Sequence, residues 1–340
     1  MDASLTRRAF VGSGAALAAA TTLPLAADAA VPLASSRSHT TTQRARNYIH
    51  IFLPGGWPAT ELWDPKPHTP LHPGMRGSEL LSTCDSIETS APAIRIGTGL
   101  ESLAPYMHHA TVIRSLVPDS DVQPHEAVDH AAAQRRMCEA LTFDCPGEGS
   151  VRVPEHFPAR YVEYITGQND ARVWRDELSN FISKIRSPYF SRRVGEVRRY
   201  RVTLPFLPYE HFDSHESGQR AIQVMKRSVM QSVASLVVDL HYCGGFENTI
   251  VCISSEFSRT IAGVPPRGCD IHTGENTIIR DERDYGLHQH FAGSNSLVLF
   301  GGPFQGGHVI GKTRDHHPMT VVENPVTLSQ VRSMIAGALA

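Results

Sequence analysis

The chain alternates short apolar runs with longer stretches of mixed polarity. "YIHIFLP" (48–54) is apolar at nearly every position and stops at Gly55-Gly56. "TVIRSL" (111–116) and "RYRVTLPFL" (199–207) are rich in β-branched residues, and in the second these alternate with arginine until Pro205. "TIVCIS" (249–254) and "LVLF" (297–300) are apolar almost throughout. Runs of this length and composition predict strands. Between Gln219 and Tyr242 the pattern changes. Ile222, Met225, Val229, Val233, Leu236, Val237 and Leu240 recur at the spacing of a helix with one buried face, and Gly244-Gly245 ends it. Strands separated by helical stretches predict an α/β fold, with a mainly parallel sheet and helices on both faces.

Composition narrows the reading only a little. The 340 residues are 41% apolar and 19% charged, an ordinary globular mix, and a formal net charge of −2 gives no footing for a nucleic-acid surface. Histidine stands out at 18 residues, which raises the prospect of metal binding. None of the 6 cysteines sits in a Cys-x-x-Cys pair, so a zinc knuckle is not indicated. Cys252 lies inside an apolar run and reads as a small buried side chain, while Cys138 and Cys145 could bridge.

The N-terminus reads as an address rather than as fold. Thr6-Arg7-Arg8-Ala9-Phe10-Val11 is a twin-arginine pattern, followed by a mildly apolar run and a small-residue cleavage site at Ala27-Asp28-Ala29. Residues 1–29 are therefore expected to be a signal peptide, 30–47 a linker and 48–340 the folded domain. The expected location is the periplasm or the exterior. No membrane span is expected once the signal is removed, because the run is interrupted by Pro24.

Ligands of open α/β sheets sit beyond the carboxyl ends of the strands. Three segments are placed to reach that rim. Asp213 and His215, in "EHFDSHES", follow the strand at 199–207. Glu256 follows "TIVCISS", and His288 and His290 precede "LVLF". In extended chain, Asp-x-His projects a carboxylate and an imidazole to one side. Oxygen and nitrogen donors of this kind suit a divalent ion such as zinc. Taken alone, Asp-x-His is weak evidence, and a solvated charged loop is its commoner explanation. "GGPFQGG" (301–307) lacks the lysine and hydroxyl spacing of a phosphate loop and reads as a tight turn.

In "IHIFLPGGWPATELWDPKP" (49–67), "ATVIRSLV" (110–117), the stretch from Ser191 to Gly218, "TIVCISSEFSRT" (249–260) and "LVLFGGPFQGGHVIGKT" (297–313), the chain resembles domain-of-unknown-function family 1501. That family is a branch of the alkaline-phosphatase-like and sulfatase-like superfamily. The resemblance implies an alkaline-phosphatase-like architecture. It also implies a metal held by Asp213, His215, Glu256 and His290: zinc first, with calcium or magnesium as alternatives. Phe257 stands where the phosphatases usually carry histidine. "RDHHP" (314–318) copies the family's histidine motif but lies after the glycine block, so His290 is preferred to His316 or His317.

The function so implied is metal-dependent hydrolysis of sulfate or phosphate esters, small or polysaccharide. Glu256 would serve as ligand or base, and Arg259 and Arg114 as anion contacts. Two departures leave a second function open. The family's frequent serine after the Gly-Gly turn is Pro58 here, with Thr60 the nearest hydroxyl, and the segment about 138–189 is shortened. A catalytically inactive binding or surface protein that keeps the fold is the alternative. Oligomeric state is not legible.

Overall fold

The apolar runs do form strands. In the computed structural model, the strands that position the site are β1 (Asn47–Phe52), β2 (Ala110–Val117), β3 (Val151–Arg152), β4 (Arg198–Thr203), β5 (Thr249–Ser254), β6 (Ser258–Thr260), β7 (Gln289–Phe291), β8 (Asn295–Gly301), β9 (His308–Ile310) and β10 (Val326–Thr327). Among the described residues the α-helices are α1 (His130–Ala140), α2 (Gly218–Tyr242) and α3 (Leu328–Leu339). The structure describes residues 44–45, 47–53, 55–119, 130–143, 151–152, 198–203, 218–242, 244–260, 274, 276–280, 284–286 and 288–340. The signal stretch, Cys145, most of the shortened middle segment, Asp213 and His215 lie outside these residues. The described residues fall within one compact unit, Leu33–Ala340.

The central sheet runs in the order β9-β2-β8-β5-β1-β4-β3, with β10 also pairing β2. β1 is parallel to β4 and β5, β3 to β4, and β9 and β10 to β2. The sheet is thus largely parallel, as the sequence implies, with one reversal. β8, the "LVLF" run, is antiparallel to both β5 and β2. The reason is the connection. A parallel return needs a crossover, usually a helix. Between β5 and β8 the described chain instead makes the short antiparallel ribbon β6–β7, so β8 starts where β5 ends.

Alternation along each strand builds two cores. Ile49 and Ile51 of β1, Val251 and Ile253 of β5, and Val298 and Phe300 of β8 face one side. There they meet Val229, Val233, Leu236, Val237 and Leu240 of α2, the periodic face read from the sequence. Tyr48 and Phe52, Ile250 and Cys252, and Leu297 and Leu299 face the other side, against Met137 of α1 and Val331 and Ile335 of α3. Full burial of one such aliphatic side chain contributes roughly 1.5–3 kcal/mol, so a core on each face explains why these runs are continuously apolar. Cys252 is fully buried, and burial pushes its thiol up to about 12. α3 starts on a capping box, Thr327 with Gln330. No helix of the described residues is long and apolar enough to cross a membrane.

Candidate functional site

At the carboxyl end of the sheet, the turn after β1 is laced to the segment after β5. Leu53 N–H donates to Ser254 O at 2.8 Å, Gly55 N–H to Glu256 Oε1 at 2.7 Å, Trp57 N–H to Ser255 Oγ at 2.9 Å and Ala59 N–H to Ser258 Oγ at 2.9 Å. Arg259 Nε donates back to Gly55 O at 2.9 Å. The glycines are demanded by this packing. Gly56 has φ of 67°, and a Cβ there would lie 2.0 Å from the Phe257 ring. That ring leaves room only for hydrogen, in a left-handed backbone that favours glycine.

Glu256 and Arg259 therefore reach the Gly-Gly turn from one short segment. The ribbon brings in the third predicted residue, since His290 lies directly opposite Arg259 in the β6–β7 pairing. The Phe257 and His290 rings are 4.5 Å apart, and the Arg259 guanidinium carbon lies 5.7 Å from the Phe257 centroid. Glu256 and His290 are buried and Arg259 is fully so. Glu256 accepts from Gly55 N–H through Oε1, and its Oε2 lies 3.0 Å from the Ser255 hydroxyl. A carboxylate and an imidazole at this rim match the donor chemistry of a divalent ion. Asp213 and His215, the other expected donors, fall outside the described residues.

The rival "RDHHP" segment is not remote from this rim. It returns to it, with His317 Nδ1 3.4 Å from Thr260 Oγ1 and Nε2 2.8 Å from Leu80 O. Both ring nitrogens thus have protein partners, while His316 is largely outward and bonds only locally, to His317 O. Asp315 anchors the same segment. It is 3.1 Å from Lys66 Nζ, which is also 3.3 Å from Asp64, while the Thr313 hydroxyl donates to Asp64 Oδ2. Arg114 Nε donates to Trp63 O at 2.8 Å and lies 3.7 Å from Asp64, and its NH2 donates to Arg95 O. The Trp-Asp-Pro-Lys-Pro motif is in this structure a clamp between the first loop and the C-terminal segment, and Arg114 is committed to it.

The opposite, amino end of the sheet holds a group that the sequence reading did not single out. His108 and His109 close a 3-10 helix, Ala104–His109, just before β2, and His241 lies in the last turn of α2. One ligand atom from each lies within 4.8 Å of the others. His109 Nε2 is 2.8 Å from His241 Nδ1. Ser90 Oγ is 2.8 Å from His108 Nδ1. Burial, and then the His108 and His241 rings, push His109 down to about 4, which leaves a neutral imidazole at neutral pH. The three rings border a cavity of about 490 Å³ closed on another side by Gly301–Gly306. Only the histidine count and the His-His pair hinted at this. Neighbours 132 residues apart in the chain give no local pattern.

Residues 191–340 match the family model described as "Protein of unknown function (DUF1501)", the family that the sequence motifs resemble. No curated protein matches the chain. Among solved structures, the chain is similar to Ps i-CgsB in complex with k-i-k-neocarrahexaose, at 12% identity over 87% of this chain and 72% of that one, with a TM-score of 0.31. It is similar to the C-terminal periplasmic domain of EcEptC from Escherichia coli, at 10% identity over 86% and 82% of the two chains, TM-score 0.34. The phosphonate monoester hydrolase of Agrobacterium radiobacter gives 9% identity over 86% and 73%, TM-score 0.34.

Proposed function

We propose that this chain is an exported, metal-dependent hydrolase of sulfate or phosphate esters, working at the carboxyl rim of its sheet. The observation that carries the reading is the meeting of Glu256 and Arg259 at Gly55, beyond the ends of β1 and β5, with His290 paired opposite Arg259. Asp213 and His215, on the connection that follows β4, would complete the donor set with Glu256 and His290. Two carboxylates and two imidazoles fit zinc, with calcium or magnesium as oxygen-preferring alternatives. When bound, such an ion supplies positive charge against an ester oxygen and acidifies an attacking water. The chain's own residues then hold the geometry. Glu256 fixes the turn through Gly55 N–H, and Arg259 fixes it through Gly55 O; its guanidinium would be the anion contact of the reaction.

A second reading has its own support. Among the described rim residues, the Ser255 and Ser258 hydroxyls accept from backbone N–H groups, and Ser254 Oγ sits 2.8 Å from His50 Nε2. These serines act as struts, which suits a binding protein that keeps the fold without the chemistry. Assay of the zinc-loaded chain on aryl sulfate and aryl phosphate esters separates the two. Turnover that falls at least tenfold in Glu256→Gln supports the hydrolase. Full metal loading with no turnover of either ester supports the binding protein. For metal content, His290→Ala is expected to lose rim-bound zinc while the double variant His316→Ala/His317→Ala keeps it. The reverse result would move the site to the C-terminal segment. For export, replacing Arg7 and Arg8 with Lys in a reporter fusion is expected to retain the reporter in the cytoplasm.

A further inference from the structure

The geometry points to a second metal site, at the amino end of the sheet, in which His108, His109 and His241 bind one borderline divalent ion such as zinc. It is independent of the rim chemistry proposed above and shares none of its residues. Three imidazoles are the donor set of an open zinc site, and nitrogen donors without carboxylate discriminate against calcium and magnesium. The spacing is near what coordination needs. Bonds of about 2.0–2.1 Å in a tetrahedron set nitrogens roughly 3.3–3.4 Å apart. The His109–His241 pair at 2.8 Å has to open slightly, and the widest separation, within 4.8 Å, has to close. His108 is exposed, so a small shift of its ring that keeps the Ser90 contact can close that gap.

Two further features fit. Ser90 Oγ accepts from the His108 backbone N–H at 3.0 Å and lies 2.8 Å from its Nδ1, which leaves Nε2 as the ligand atom. A hydrogen bond on the far nitrogen is how metal-bound histidines are usually held. The three rings also border the cavity under Gly301–Gly306, so a fourth position is open to water or to a small anionic ligand. The Phe246 ring, 4.6 Å from that of His109, screens the inner side.

Zinc titration of the chelator-stripped full chain tests this, with the His290→Ala variant used to remove the rim contribution. That variant is expected to bind one zinc and to gain thermal stability from it. Adding His108→Ala or His241→Ala is expected to weaken this binding at least tenfold, with the zinc-free midpoint little changed. Should His290→Ala fold poorly, the same two substitutions in the otherwise unaltered chain are expected to remove one zinc equivalent. Zinc binding that is unaffected by the double variant His108→Ala/His241→Ala overturns the site, as does the absence of any zinc bound by a folded His290→Ala chain.

Discussion

The two ends of the sheet hold polar side chains in opposite ways. At the carboxyl end, Glu256, Ser255, Ser258 and Arg259 each bond a backbone group of the loop after β1. At the amino end, His109 and His241 bond one another, and His108 bonds a serine. The rim is therefore a structural joint with chemistry-bearing residues built into it. The histidine end is a cluster set on the edge of the fold. Substitution at the rim should cost stability before it reveals chemistry, whereas substitution at the histidine end should leave the fold standing.

The largest effect is expected at Gly56. Alanine there places a methyl against the Phe257 ring at a φ of 67°. Overpacking of about 1–3 kcal/mol adds to roughly 1–2 kcal/mol for a left-handed backbone. Denaturant unfolding should show a loss near the sum, and a loss below 1 kcal/mol would mean that the turn can move. Arg259→Met comes next. It strips Gly55 O of a buried donor, for about 1–3 kcal/mol, and removes the contact over Phe257. If Arg259→Met unfolds like the wild type but abolishes ester turnover, the guanidinium serves the substrate rather than the joint. Ser258→Ala should cost less, about 1–2 kcal/mol, through the Ala59 N–H left without its acceptor.

What the sequence shows of this contrast follows from the range of each interaction. β1, β2, β5 and β8 are covered on both faces, so their apolar runs are legible with boundaries close to those observed. α2 has one buried face and a glycine stop, which makes it equally legible. α3 escaped the reading, although Thr327 and Gln330 carry its capping box and Val331 and Ile335 its buried stripe. The ribbon strands are only 3 residues long, too short for a period to show, yet they set His290 opposite Arg259. The rim residues were found through chain order and resemblance, because each follows or precedes a legible strand. The three histidines meet only through the packing of α2's end against the start of β2, and no local pattern encodes that.

The smallest effect is expected at Ser90, and it sharpens the comparison from the weaker side. Its hydroxyl contacts both the backbone and the ring of His108, at 3.0 and 2.8 Å, in an exposed setting. Water replaces a lost partner there, so Ser90→Ala should cost only about 0.5–1 kcal/mol. The same substitution frees the His108 ring to turn. Any zinc held by the cluster should then weaken about tenfold or more, as for other groups that orient a metal-bound histidine. Ser255→Ala at the rim is the matched control, since it also removes one hydroxyl but takes with it the acceptor of the buried Trp57 N–H. Calorimetric unfolding of the pair should show the rim variant losing more. Equal losses would mean that the histidine end is as much a joint as the rim, and the division between the two ends would fail.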